Sequence, residues 1–103
     1  MLELKAGTRL RSVVCDTEVM VILAPAAAVD LRCGGLPMAA IDAETPAGAS
    51  LDPAAASGTM LGKRYVSDSG DLEVLCTKPG EGTLALAATP LALKEAKPLP
   101  SSD

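Results

Sequence analysis

Two kinds of stretch alternate along the chain. Runs rich in β-branched residues, or apolar at every second position, are separated by short clusters of Gly, Pro, Asp and Ser. A period of two puts alternate side chains on one face of a sheet, and neither half keeps the three-and-four spacing of an amphipathic helix. Arg9–Cys15 alternates up to the turn-forming pair Asp16-Thr17. Glu18–Leu23 is the most strongly apolar run and is short enough for a buried strand. Pro25 to Ala28 breaks it, and Val29–Cys33 alternates again before ending at Gly34-Gly35.

From Ala39 to Ser57 the composition shifts to Ala, Pro, Gly, Ser and Asp, and no period survives, which predicts a linker. A short helix around Asp52–Ala56 is compatible with Pro53 at its first position. Strand patterns resume with Met60–Val66, and the turn Ser67-Asp68-Ser69-Gly70 follows. Asp71–Thr77 alternates cleanly, with Leu72, Val74 and Cys76 on one face. After the turn Pro79-Gly80-Glu81-Gly82 come Thr83–Ala87 and a short Leu91–Leu93. The tail Lys94–Asp103, with two prolines and four charges, is expected to fray. This divides the chain into a β unit over 1–38, a linker over 39–57, a second β unit over 58–93 and a flexible tail over 94–103.

The two β units resemble each other. Gly7-Thr8-Arg9-Leu10 answers Gly58-Thr59-Met60-Leu61, and Leu31–Pro37 answers Leu84–Pro90, with a two-residue gap between the landmarks. Such an internal repeat predicts two similar three-stranded halves, related by a pseudo-two-fold axis and packed face to face. The fold class is therefore all-β: a small antiparallel β-sandwich or partly open barrel.

Composition narrows what such a domain can do. The apolar fraction is 49%, but 18 of those residues are Ala and Tyr65 is the sole aromatic. The core rests on two dozen Leu, Val and Ile, each contributing about 1.5–3 kcal/mol when fully buried. A chain of this size buries only about two-thirds of its unfolded surface, which leaves a role for a protein partner or a second copy. Net charge is −4, with nine scattered basic residues and almost no aromatics to stack on bases, so nucleic acid is not an expected partner. An anionic membrane surface is disfavoured for the same reason. The longest apolar run, Val19–Val29, contains Pro25 and is far short of the ~20 residues that span a bilayer. Met1–Lys5 has no secretory pattern, and three widely spaced cysteines do not form a disulfide framework. A cytoplasmic location is expected.

Histidine is absent. That removes the usual neutral-pH general base, any Ser–His or Cys–His nucleophile and every imidazole metal ligand. No Asp, Glu or Lys stands in a catalytic constellation, so the chain is not expected to be an enzyme. Gly58–Lys63 is one residue short of a phosphate loop and lacks the following Ser or Thr. Asp68, Asp71 and Glu73 lack calcium-loop spacing. Met20, Met38 and Met60 are expected to fill core, and Cys76 to pack with Leu72 and Val74.

One motif carries more specific chemistry. Ser12-Val13-Val14-Cys15, a hairpin, and Arg32-Cys33-Gly34-Gly35-Leu36-Pro37-Met38 resemble the desulforedoxin ribbon and the matching N-terminal domain of desulfoferrodoxin. That family holds iron or zinc on four thiolates, from Cys-x-x-Cys and, after a hairpin, Cys-Cys-Gly. The resemblance covers residues 12–38 only. It aligns Cys15 and Cys33 with the second and fourth ligands, and puts Ser12 and Arg32 where the first and third would be. A neutral hydroxyl is a poor ligand, and a guanidinium cannot be deprotonated. A structural tetrahedral site needs four donors. The resemblance thus implies a degenerate site from which the metal has been lost, with Arg32 replacing part of its charge and Asp16, Glu18 or Asp30 as its partner.

Two functions follow as expectations. The first is a non-catalytic accessory or stabilising subunit that binds a partner protein through strand edges and the Ala/Pro-rich segment, with no cofactor. The alternative is a small Fe or Zn thiolate or redox module using Cys15 and Cys33. Those two cysteines could be pooled by two chains, or joined in a reversible disulfide if their Cβ atoms lie about 4 Å apart.

Overall fold

A computed structural model describes residues 2–43 and 48–94. Its described residues are all-β apart from one turn of 3-10 helix. The first half supplies β1 (Arg9–Arg11), β2 (Glu18–Leu23), β3 (Leu31–Cys33), β4 (Leu36–Pro37) and β5 (Ala39–Ala40). The second half supplies β6 (Arg64–Val66), β7 (Glu73–Lys78), β8 (Leu84–Leu86), β9 (Thr89–Pro90) and β10 (Ala92–Lys94). They form two antiparallel sheets, in the orders β10-β6-β7-β2-β1-β5 and β4-β3-β8-β9. This is the expected small sandwich arrangement, with sheets that do not close into a barrel.

Each order reads the same from both ends once every strand is exchanged for its counterpart in the other half. The register obeys the same exchange. Met20 faces Leu75 across the β2–β7 pair, while Val19 faces Cys76 and Val21 faces Val74. Arg32 faces Ala85 across β3–β8. A pseudo-two-fold axis therefore passes between these central pairs. Loop bonds repeat as well. The Gly7 N–H donates to Val21 O at 2.7 Å and that of Gly62 to Cys76 O at 2.9 Å. Ser12 N–H reaches Thr17 O at 2.8 Å, and Ser67 N–H reaches Leu72 O at 3.0 Å.

Three features of the expected repeat need correction. The structural counterpart of Gly7 is Gly62, not Gly58, because the Gly7 and Gly62 N–H groups make the equivalent bonds to Val21 O and Cys76 O, both glycines having a left-handed backbone with φ of +89° and +78°. The Leu31–Pro37 and Leu84–Pro90 correspondence does agree with the pairing of β3, β4, β8 and β9. Each half contributes five strands, since β4, β5 and β9 are two-residue elements with no period to read. The halves also do not stack as separate units. They join edge to edge, so each sheet contains strands of both.

Side chains from both sheets fill one core. Val19 and Val21 alternate inward from β2, Val74 and Cys76 from β7, and Leu31, Cys33 and Leu84 from the smaller sheet. Leu72 and Val74 share that cluster with Cys76, as expected. Tyr65 is buried, and its hydroxyl accepts the Met60 N–H at 3.0 Å. Met38 is core, Met20 is half-buried, and Met60 is 51% exposed on a turn rather than core filler. Glu73 is buried at the sheet surface between Lys94 at 2.8 Å and Arg64 at 3.3 Å. The Lys94 hydrogen bond, with help from both positive charges, holds its carboxyl below the usual range.

The expected linker is partly structured. Ala39 and Ala40 pair with Arg11 and Leu10. Pro53–Ala55 forms the 3-10 turn, with the Asp52 side chain accepting the Ala54 N–H at 3.0 Å. Of the expected tail, Lys94 ends β10, and residues 95–103 lie outside the described residues. No described helix is long and apolar enough to cross a membrane.

Candidate thiol site

Residues 12–17 make the sharp connection between β1 and β2. The buried Ser12 hydroxyl accepts the N–H groups of Val14 and Cys15, each at 3.1 Å. A side-chain acceptor for donors two and three residues on is the local reason the chain turns here. The turn directs Cys15 towards β3, where Leu31 and Cys33 face the core and Arg32 faces outward. The sulfurs of Cys15 and Cys33 stand 3.9 Å apart, and both cysteines are free. Cys33 has no exposed surface, whereas Cys15 is half-buried.

The remaining walls are backbone from the second half. Gly82 N–H donates to the Cys15 sulfur at 3.4 Å. A Cβ on Gly82 would lie 2.9 Å from the Cys33 sulfur and 2.8 Å from Gly34 N, and one on Gly80 would overlap the Thr17 hydroxyl. Glycine is required at both positions by close approach of two chain segments. Thr59 N–H donates to Gly80 O at 2.9 Å and Thr83 N–H to Ala55 O at 2.8 Å, which anchors this wall.

Two threonines complete the site. The Cys15 thiol donates to Thr17 Oγ1 at 3.3 Å, Thr17 to Thr59 Oγ1 at 3.3 Å, and Thr59 to the Gly82 carbonyl at 2.6 Å. Thr17 is fully buried and Thr59 nearly so. Burial by itself pushes the Cys15 thiol up. Hydrogen bonding to the Ser12 and Thr17 side chains and to the Thr17 and Gly82 backbone outweighs it, and the pKa falls to about 7. Cys33 goes the other way. Burial, and then the charge of a Cys15 thiolate, push it up to about 12. The pair therefore holds one proton that leaves easily and one that is retained.

The structure brings Ser12, Cys15 and Cys33 together, but Arg32 does not join them. Its Nε contacts both Asp30 carboxylate oxygens at 3.0 and 3.1 Å, and its Nη1 donates to Gly35 O at 3.2 Å, on the opposite face of β3. Among the three candidate partners it is Asp30 that pairs with Arg32. Asp16 is exposed, and Glu18 faces Lys78 at 3.9 Å. Cysteines at two corners of a tetrahedral thiolate site, with metal–sulfur bonds of ~2.3 Å, would be ~3.8 Å apart. The sulfur spacing suits two such corners, but the donor set does not fit four. The Ser12 hydroxyl is committed to two backbone N–H groups, and no three Cys, His, Asp or Glu converge among the described residues.

Thr17, Thr59, Gly80 and Gly82 carry no motif at sequence level. The Gly-Glu-Gly spacing over 80–82 is the one local signal, since it exceeds what the turn alone requires. Compared with protein families, curated proteins and solved structures, the chain matches none.

Proposed function

We propose that the chain is a thiol–disulfide redox module in which Cys15 is the nucleophile and Cys33 the resolving thiol. The supporting observation is the 3.9 Å sulfur pair, half-buried on one side and fully buried on the other. Closing ~2 Å would bring it to a bonded S–S of ~2.05 Å. The Cys15 thiolate attacks a disulfide R–S–S–R′, a Cys15–S–S–R bond forms, and R′S⁻ leaves. Cys33 passes its proton to that thiolate. It then attacks the Cys15 sulfur, forming the Cys15–Cys33 disulfide and releasing RS⁻. The substrate disulfide gains two electrons and the protein dithiol loses two. Conversion of Cys15 to a mixed disulfide removes its negative charge, which is one cause of the raised Cys33 pKa. Resolution is thereby easier after attack than before it.

Equilibration in glutathione buffers of graded potential, with peptide mapping by mass spectrometry, tests this. The expected product is an intramolecular Cys15–Cys33 link, and C33S should accumulate glutathione on Cys15. Persistence of both free thiols under oxidising buffer, or links only between chains, would refute the reading.

A second reading, the accessory subunit that binds a partner protein, is favoured by Met60 and Leu61, which are 51% and 62% exposed on one turn. Native mass spectrometry from the source cell tests it, and recovery of a bare monomer would argue against it.

A further inference from the structure

The four links around Cys15 form a closed ring. It runs from the Cys15 sulfur to Thr17 Oγ1, to Thr59 Oγ1, to the Gly82 carbonyl, and from the N–H of the same residue back to the sulfur. Two members come from each half, and Thr17 and Thr59 are 42 residues apart. Proton counting constrains this ring. A carbonyl only accepts, so at 2.6 Å Thr59 donates its single hydroxyl proton to Gly82 O. Towards Thr17 it can then only accept. Thr17 also has one proton. While that proton points to Thr59, Thr17 can accept from a Cys15 thiol but cannot donate to a thiolate.

We infer that Thr17 is a positioning residue whose one hydroxyl proton turns to Thr59 when Cys15 is a thiol and to the Cys15 sulfur when it is a thiolate. The two threonines then act in opposite senses. Thr17 stabilises the thiolate by donating to it. Thr59 competes for that proton and so favours the thiol. Thr17 and Thr59 are sealed from solvent, so water does not replace either partner. Cys33 is the titratable group facing Cys15, no ion pair among the described residues reaches the site, and Asp16 is exposed. The arrangement places the acidity of a thiol in the first half under control of a hydroxyl in the second. It rests on Cys15 being the nucleophile of the redox reading.

The test is the pH profile of Cys15 alkylation by iodoacetamide in the full chain, with the labelled peptide quantified by mass spectrometry. Thr17→Val removes the donor. The midpoint should rise by about one pH unit, and the rate at pH 7 should fall about five-fold as the thiolate fraction drops from about one half to about one tenth. Thr17→Ser keeps a hydroxyl and should restore the midpoint. Thr59→Val removes the competitor and leaves the Thr17 proton free for sulfur. The midpoint should fall by about half a pH unit, making the rate at pH 6 about 2.5-fold higher. Should Thr17→Val fail to fold, the downward shift in Thr59→Val still decides. Loosened packing alone would move both valine variants in one direction. Movement in the same direction, or no movement in Thr59→Val, overturns the inference. Failure of wild type to form the Cys15–Cys33 disulfide would count against the redox reading alone, because the alkylation profile does not depend on that bond.

Discussion

The sulfurs of Cys15 and Cys33, 18 positions apart in the chain, lie 3.9 Å from each other, and only Cys15 is reached by solvent. Joining them would close a loop in the unfolded chain and lower its entropy. A loop of about this length is worth ~3 kcal/mol when the native geometry accepts the bond without strain. The oxidised protein should therefore unfold at higher denaturant than the reduced one, by about 2–4 kcal/mol in free energy. Urea titrations of wild type with and without reductant check this, with C15S as the control that shows no difference. A disulfide-bonded form less stable than the dithiol would mean that the backbone does not accept the bond.

Reduced protein should be most stable near pH 9. The Cys15 pKa is lowered from 9.0 to about 7, so between those values the unfolded chain binds more protons than the native one. The contribution of Cys15 is full above pH 9 and is lost as pH falls through 7. Cys33 is raised to about 12, so its contribution is full below pH 9 and is lost as pH rises towards 12. Denaturation midpoints under reductant should climb from pH 7 to 9 in wild type. C15S should lose that climb, and a flat wild-type profile would contradict the assigned acidity.

Gly82→Ala should destabilise the fold by about 1–3 kcal/mol, the usual cost of overpacking. Its Cβ would meet Gly34 N at 2.8 Å and the Cys33 sulfur at 2.9 Å, and backbone cannot swing aside as a flexible side chain can. The Cys15 alkylation midpoint should also rise, because the Gly82 N–H that reaches its sulfur would be displaced. Thermal unfolding and the alkylation profile measure the two effects separately. Unchanged values for both would show that the wall is looser than the contacts imply.

Much of the secondary structure was legible because strand character is local. Glu18–Leu23 reads as a strand from its apolar run, and it forms β2 with the same limits. Arg9–Cys15 also alternates, yet β1 ends at Arg11. The Ser12 hydroxyl captures the next backbone donors and turns the chain, an interaction that outweighs periodicity. Two-residue strands such as β4 and β9 have no period at all and exist only because a neighbour pairs with them.

The residues by themselves determined the all-β character and most turn positions, since each depends on contacts within a few residues. The pairing of Cys15 with Cys33 entered only as an implication of the resemblance over residues 12–38, and the fold places their sulfurs 3.9 Å apart. Only the tertiary structure decided that the halves pair edge to edge through β2–β7 and β3–β8. It alone brought Thr59 to Thr17 across 42 residues and Gly82 to Cys15 across 67. Those meetings depend on sheet register and on the absence of two Cβ atoms. Register is set by the packing of both faces at once, and no local pattern encodes it.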